Sequence, residues 1–88
     1  MKVKVDKSFE KDTNKIHDSA ILKKIALCIE QVISSDSIRQ IQNLKKLQGF
    51  KNHFRIKIGD HRAGLIIKND EVIFERFLHR KDIYKYYP

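Results

Sequence analysis

The second half of this sequence contains cations, a histidine and a tyrosine whose chemical properties are complementary. The six candidate residues are Arg55, Lys57, Arg62, His79, Arg80 and Tyr84. Arginine and lysine neutralise phosphate charge, histidine transfers protons near neutral pH, and tyrosine stacks on nucleobases. Such a set suits RNA cleavage in which a ribose 2′-hydroxyl attacks its own phosphate, because that reaction needs a base, a charge stabiliser and an acid.

Other residues that could do chemistry are weaker candidates. The sequence has no carboxylate cluster and no Cys/His spacing typical of a metal site, so we expect neither a metal nor another cofactor. Cys28 is the single cysteine and lies in an apolar helical pattern, which indicates a small buried hydrophobe rather than a nucleophile. His17, His53 and His61 adjoin predicted elements and are interpreted as structural, with His61 directed toward the core near a turn.

The net charge of +8 is large for 88 residues and is unevenly placed. Residues 45–88 hold eleven Lys and Arg against five Asp and Glu, which gives that half +6. Such a surface favours a polyanion, whether nucleic acid, an acidic protein or an anionic membrane face. The longest apolar run is far shorter than the roughly 20 residues of a membrane span, and MKVKVDK lacks the apolar core of a signal peptide. We therefore expect a cytoplasmic protein with no membrane partner.

The apolar pattern predicts an α+β fold, with helices packed on one face of a sheet. Alternation in KVKV indicates a first strand, and Asp18 or Ser19 is a good cap for a long helix. The connection 34–53 is expected to be irregular. The predicted elements are strand 2–5, a short helix that ends before residue 16, a helix to about residue 34, and antiparallel strands 54–58, 61–68 and 71–79.

Two-residue turns between the last three strands would fix which side chains share a face, because directly opposite residues project to the same side. The expected core rows are Phe54, Leu65 and Phe74; Ile56, Ala63 and Arg76; and Ile58, His61 and Leu78. The opposite rows are Arg55, Gly64 and Glu75, then Lys57, Arg62 and Phe77 with His79 beside them. Since Gly64 has no side chain, we expect a hollow there and a shallow basic cleft bordered by the C-terminal segment.

A solvated sheet face, on which Glu75 pairs with Arg55, is the alternative interpretation of these rows. The basic cleft is the preferred interpretation, because the cations come from neighbouring strands at one level of the sheet and lie next to His79 and Arg80. Glu75 is also a conceivable base, although the charge of Arg55 should lower the pKa of its carboxyl. Tyr86 and Tyr87 either pack on the sheet edge or contact a ligand.

The segments FRIKIGDHRAGL and FLHRKDIYKYYP resemble the RelE-like branch of the RelE/ParE superfamily, the toxins of type II toxin-antitoxin modules. The resemblance extends over nearly the whole chain, because the KVKV strand, the two helices and LKKLQG also fit in order. It implies a single RelE-like toxin domain over residues 1–88 and an mRNA interferase that cuts mRNA in the ribosomal A site. It also implies a cognate antitoxin that wraps around the toxin in a hetero-oligomeric complex.

The same resemblance implies catalytic roles for five positions, namely Arg55, Lys57, Arg62, Arg80 and Tyr84. His79 occurs in this branch without being universal, so catalysis and a hinge or stacking role are both open to it. The ParE branch of the fold targets DNA gyrase instead of RNA, and gyrase inhibition is therefore a second hypothesis. A non-toxic basic module that binds nucleic acid is a third, which the charge alone would support.

Overall fold

The computed structural model describes residues 1–88, which form one five-stranded sheet and three α-helices. Along the chain the elements are β1 (Lys2–Val5), α1 (Lys7–Asn14), α2 (Ser19–Ser34), a 3₁₀ turn (Ile38–Gln40), β2 (Leu44–Lys46), β3 (His53–Ile58), β4 (His61–Lys68), β5 (Glu71–His79) and α3 (Arg80–Tyr86). The strand order is β1-β5-β4-β3-β2, with β1 parallel to β5 and all other neighbours antiparallel. The predicted α+β fold is confirmed, and so is the order of strand, two helices and meander.

The start of α2 follows from its capping residue. The carboxylate of Asp18 accepts hydrogen bonds from the backbone N–H groups of Ala20, at 2.9 Å, and Ile21, at 3.4 Å. These donors belong to the first turn, where no helical carbonyl is available to them. From this fixed start the helix buries Ile25 and Val32 on one side.

Aromatic side chains join α1 to the sheet. The ring centroid of Phe9 lies 5.4 Å from that of Phe74 and 6.0 Å from that of Phe77, both edge to face. Such pairs add about 0.5–1.5 kcal/mol to the free energy gained by burial. Cys28 is half-buried rather than fully buried and packs against this core, and burial raises the pKa of its thiol to about 11.

Both turns of the meander are two-residue loops, as the sequence predicts. Asn69 and Asp70 have positive φ angles of 53° and 62°, which is the backbone pattern of a type I′ turn. The register that results places Leu65 opposite both Phe54 of β3 and Phe74 of β5. The first predicted core row is therefore confirmed.

A β-bulge at Glu75 changes the register of the rest of β5. Gly64 and Leu65 are neighbours on β4, but their partners on β5 are Arg76 and Phe74, so Glu75 is an extra residue on its strand. The pairs beyond the bulge are Ala63 with Phe77, Arg62 with Leu78, and His61 with His79. The sequence predicts that Arg76 and Leu78 join the core rows and that Phe77 and His79 face the cleft. This prediction is wrong, because the extra residue exchanges the two faces of β5 beyond the bulge.

Polar groups of α1 stabilise this bulge. The hydroxyl of Ser8 donates a hydrogen bond to the Glu75 carbonyl at 2.6 Å. Asp12, which is 9% exposed, accepts from the backbone N–H of Phe77 at 2.9 Å and from Nε of Arg76 at 2.7 Å. The pKa of the Arg76 guanidinium is raised by the hydrogen bond to Asp12. Arg76, which the sequence predicts in a core row, is thus paired with Asp12 at the edge of the core.

Two short elements differ from the prediction. β2 forms inside the connection that we expect to be irregular, and it adds a strand to the open side of β3. The C-terminal segment, for which no helix is predicted, forms α3. Its cap is His79, whose Nδ1 accepts a hydrogen bond from the backbone N–H of Lys81 at 3.2 Å.

No helix in the structure has both the length and the apolar character needed to cross a membrane.

Candidate functional site

Four cationic side chains project from three neighbouring strands toward one surface. Lys45 of β2 lies opposite Arg55 of β3, and Lys57 of β3 lies opposite Arg62 of β4. Opposite residues of antiparallel strands share a face, as do residues two apart on one strand. The four residues line a cleft of about 280 Å³, here called the basic cleft. The predicted grouping of Arg55, Lys57 and Arg62 is confirmed.

The two arginines of the basic cleft are held in different ways. Nη1 of Arg62 donates hydrogen bonds to the carbonyls of Gly59, at 3.0 Å, and His61, at 2.9 Å, which fixes the guanidinium at the β3–β4 turn. These bonds leave Nε and Nη2 unused, so the group can still bind a phosphate through two nitrogens. The guanidinium carbon of Arg55 lies 4.9 Å from the ring centroid of Tyr84, in a cation–π contact.

Helix α3 brings a tyrosine to the edge of the basic cleft. Ile83 is 2% exposed and anchors the helix, while the Tyr84 ring is 69% exposed beside Arg55. The start of α3 is tied to the β3–β4 turn, because the backbone N–H of Arg80 donates to the Asp60 carbonyl at 2.8 Å. The side chain of Arg80 is exposed, one helical turn before Tyr84, and does not line the basic cleft.

The hollow expected at Gly64 is filled, so that part of the prediction is wrong. The ring of Tyr87 packs on Gly64 so closely that an added Cβ would lie 2.7 Å from its Cδ2 atom. The Tyr87 hydroxyl donates to Oε1 of Glu75 at 2.9 Å, and burial together with this hydrogen bond raises the pKa of the phenol. Glu75 therefore pairs with Tyr87 rather than with Arg55. Tyr87 anchors the tail, whereas Tyr86 is 61% exposed.

His79 lies on the side of β5 away from the basic cleft. Its ring meets that of His61 edge to face, with the centroids 5.5 Å apart. His61 in turn stacks on Phe77 at 4.9 Å with the rings parallel to within 1°. Burial, with a smaller contribution from the neighbouring charge of His79, lowers the pKa of the His61 imidazole. The structure therefore places His79 as the cap of α3, not among the cations of the cleft.

Lys45 and Lys46 are functional candidates that sequence reasoning missed. They lie on β2, which is only three residues long and shows no period by itself. The signal that could have found them is the LKKL pattern of residues 44–47, with Gly49 after it as a turn residue. A short strand ending in a turn and followed by β3 would have placed Lys45 beside Arg55.

The sheet has five strands with a parallel β1–β5 pair, two helices lie between β1 and β2, and a cationic face adjoins a C-terminal helix. Together these features define a small toxin of the RelE/ParE class. A family model described as the ParE toxin of the type II toxin-antitoxin system, parDE, matches residues 3–84, and the chain belongs to this family. The superfamily that the resemblance predicts is thereby confirmed.

Relatives from several organisms share this fold. Toxin RelE3 of Methanocaldococcus jannaschii is 40% identical over 89 residues, which cover all of both chains. The crystal structure of a RelB-RelE antitoxin-toxin complex from Methanococcus jannaschii matches with a TM-score of 0.81 and 38% identity, over 97% of this chain and 99% of that one. An archaeal RelE-RelB complex from Pyrococcus horikoshii matches with a TM-score of 0.73 at 17% identity, over 90% and 93% of the two chains, and shows the fold alone.

Proposed function

We propose that this toxin is an endoribonuclease that cleaves messenger RNA in the ribosomal A site without a metal. The observation that carries the proposal is the basic cleft, whose four cations converge next to the exposed ring of Tyr84. Phosphate binding and base stacking are thereby available at one place. The similarity to a protein named Toxin RelE3 supports the same assignment.

The reaction forms a bond from the ribose 2′-oxygen to phosphorus and breaks the bond from phosphorus to the 5′-oxygen. A base takes the 2′-proton, an acid gives a proton to the leaving 5′-oxygen, and the products are a cyclic phosphate and a free 5′-hydroxyl. Arg55, Lys57 and Arg62 would stabilise the charge on the phosphorane, because their side chains line the same cleft. No acidic side chain lines this cleft, so proton transfer falls to its cations or to groups of α3.

The residues on and before α3 would have separate tasks. Tyr84 would stack on a base and so hold the nucleotide with its phosphate near Arg55. Arg80, exposed at the start of the helix, would bind a neighbouring phosphate. His79 caps α3, which supports a positioning role that acts through the helix rather than direct proton transfer.

A cognate antitoxin is the proposed protein partner, in a hetero-oligomeric complex. The RelB-RelE complex from Methanococcus jannaschii contains a toxin chain that is 38% identical to this one over nearly its whole length. The net charge of +8 would favour binding of an acidic antitoxin segment, and also of ribosomal RNA around the A site.

Primer extension tests the proposal on mRNA incubated with the toxin in a translation mixture that contains ribosomes and in one that lacks them. We expect cuts that require ribosomes and that Arg62→Ala reduces by orders of magnitude. Arg39→Ala is the matched control, because Arg39 is an exposed arginine on the 3₁₀ turn, outside the basic cleft. Growth arrest without any cut in the mRNA would refute the proposed nuclease activity. Expression without any effect on growth would favour a basic module that only binds nucleic acid.

Inhibition of DNA gyrase is the second candidate, because the family model that matches residues 3–84 is that of the ParE toxin. A gyrase inhibitor would block DNA supercoiling by purified gyrase and would induce DNA damage signalling. Its toxicity would survive Arg62→Ala and Tyr84→Ala, whereas that of the nuclease would not.

A further inference from the structure

A second depression adjoins the basic cleft and is formed by the β2–β3 loop and the end of the chain. We call it the loop pocket; it measures about 310 Å³, and its walls are Leu47, Gln48, Phe50, Tyr84, Tyr87 and Pro88. Lys45 and Arg55 line both the loop pocket and the basic cleft. The two are therefore parts of one continuous surface.

Two aromatic walls of the loop pocket, Phe50 and Tyr87, are held in place by packing on His53. The Phe50 ring meets the His53 ring edge to face at 5.4 Å, and His53 lies 5.7 Å from Tyr87. Tyr87 is itself fixed by its hydrogen bond to Glu75. Yet the Phe50 side chain remains 44% exposed, so a large part of its surface is available to a ligand.

The loop that carries Phe50 is closed by backbone hydrogen bonds. The N–H of Leu47 donates to the His53 carbonyl at 2.9 Å, and the N–H of Phe50 donates to the Leu47 carbonyl at 3.3 Å. Gly49 has a φ of 85°, in the left-handed region that favours glycine. These bonds hold the backbone of Phe50 in place, and the edge-to-face contact with His53 orients its ring.

We propose that the loop pocket binds a nucleobase of the substrate RNA, next to the nucleotide whose phosphate lies in the basic cleft. This inference rests on the proposed nuclease function. An aromatic ring stacks on any base, and the side-chain amide of Gln48 offers both a donor and an acceptor to a base edge. Lys45, Lys46 and Arg55 would bind the flanking phosphates.

The charge of the pocket favours a nucleotide over an apolar peptide. Three of its ten lining residues are cations and none is acidic. An apolar side chain would bring these cations no opposite charge, whereas a nucleotide brings one phosphate for every base. Continuity with the basic cleft through Arg55 gives the RNA chain a direct path between the two sites.

Binding of a short 2′-O-methyl RNA, which lacks the attacking hydroxyl, tests the inference without cleavage. With 2-aminopurine at successive positions, we expect quenching at the one position that enters the loop pocket. Phe50→Ala and Phe50→Leu should abolish that quenching and weaken binding about 5- to 150-fold. Gln48→Ala should change the preference among bases at the same position. Ile33→Ala, which alters an apolar side chain of α2 that is 53% exposed, is the control.

An abasic residue at the quenched position separates base binding from loop damage. Wild type and Phe50→Ala should bind the abasic RNA equally. An equal loss of affinity for intact and abasic RNA would overturn the inference, since Phe50 would then act only through the loop. A wild type that cuts mRNA but shows no quenching that depends on Phe50 would overturn the inference alone, while a wild type that neither binds nor cuts RNA would overturn the proposed function with it.

Discussion

Asp12 of α1 and Arg76 of β5, 64 residues apart in sequence, are joined by a hydrogen bond of 2.7 Å from the arginine Nε to the aspartate Oδ2. The same oxygen accepts from the backbone N–H of Phe77 at 2.9 Å. One carboxylate thus holds the first helix on the β-bulge. Since the bulge decides which side chains of β5 face the core, this pair also keeps Phe77 in the core and His79 on the side away from the basic cleft.

We predict that Asp12→Ala lowers the free energy of unfolding by about 2–3 kcal/mol, because it leaves the Arg76 guanidinium and the Phe77 N–H without their acceptor. Urea unfolding followed by circular dichroism measures the change. Lys4→Ala is the control: its ion pair with Glu71 spans 3.4 Å and the lysine side chain is 61% exposed, so its removal should cost at most about 1 kcal/mol. Equal losses in both variants would contradict a special role for Asp12.

Gly64→Ala should destabilise the protein, because the new methyl group would lie 2.7 Å from the Tyr87 ring. We expect a loss of about 1–3 kcal/mol, typical of overpacking, and a large part of it should disappear in the background Tyr87→Ala, where the ring is absent. Thermal unfolding of the four proteins in this cycle gives the coupling energy. Additive losses would mean that the tail does not pack on Gly64 in solution.

Tyr84→Phe and Tyr84→Ala distinguish stacking from proton transfer. If the ring stacks on a base and on Arg55, Tyr84→Phe should keep most of the cleavage rate, while Tyr84→Ala should lose about tenfold or more. Single-turnover cleavage on programmed ribosomes measures both. A Tyr84→Phe variant as slow as Tyr84→Ala would instead assign the proton transfer to the phenol hydroxyl. Neither variant should unfold, because the side chain is 69% exposed.

Stability should fall as the pH falls below about 6.5, the ordinary pKa of histidine from which the folded value of His61 is lowered. In this range the unfolded state binds more protons than the folded state, so acid favours unfolding. The contribution is fully present above pH 6.5 and is lost toward the lower folded pKa. His61→Gln should flatten the pH profile below 6.5, and His17→Gln, at an exposed histidine, is the matched control. A profile that is the same in all three proteins would refute this role of His61.

The central part of the sheet could be predicted because its register depends on local turns. The loop of Gly59 and Asp60 places Arg55 opposite Gly64 and Lys57 opposite Arg62 without any knowledge of the helices. The loop of Asn69 and Asp70 sets the first pairs of β4 with β5 in the same way. The grouping of three cleft cations follows directly. Long apolar periods likewise locate α2, whose cap at Asp18 is visible in the sequence.

The bulge could not be predicted, because its cause is distant in sequence. An extra residue at Glu75 is stabilised by Ser8 and Asp12 of α1, and its one local sign is the pair of adjacent polar residues, Glu75 and Arg76, between Phe74 and Phe77. The same distance hides β2 and α3. β2 has three residues, too few for a period, and α3 depends on the cap at His79 and on the burial of Ile83. The periodicity of apolar residues therefore could not predict that Lys45 lines the basic cleft or that the loop pocket forms.

The strand order also determines which backbone groups are open to another molecule. β1 and β2 are the two outer strands, and each carries two lysines: Lys2 and Lys4 on one, Lys45 and Lys46 on the other. Charged outer strands discourage the edge-to-edge pairing by which sheets of separate copies aggregate. Lys45 and Lys46 would then keep the free toxin dispersed as well as bind phosphate, so that neutralising them would weaken RNA binding and lower solubility together.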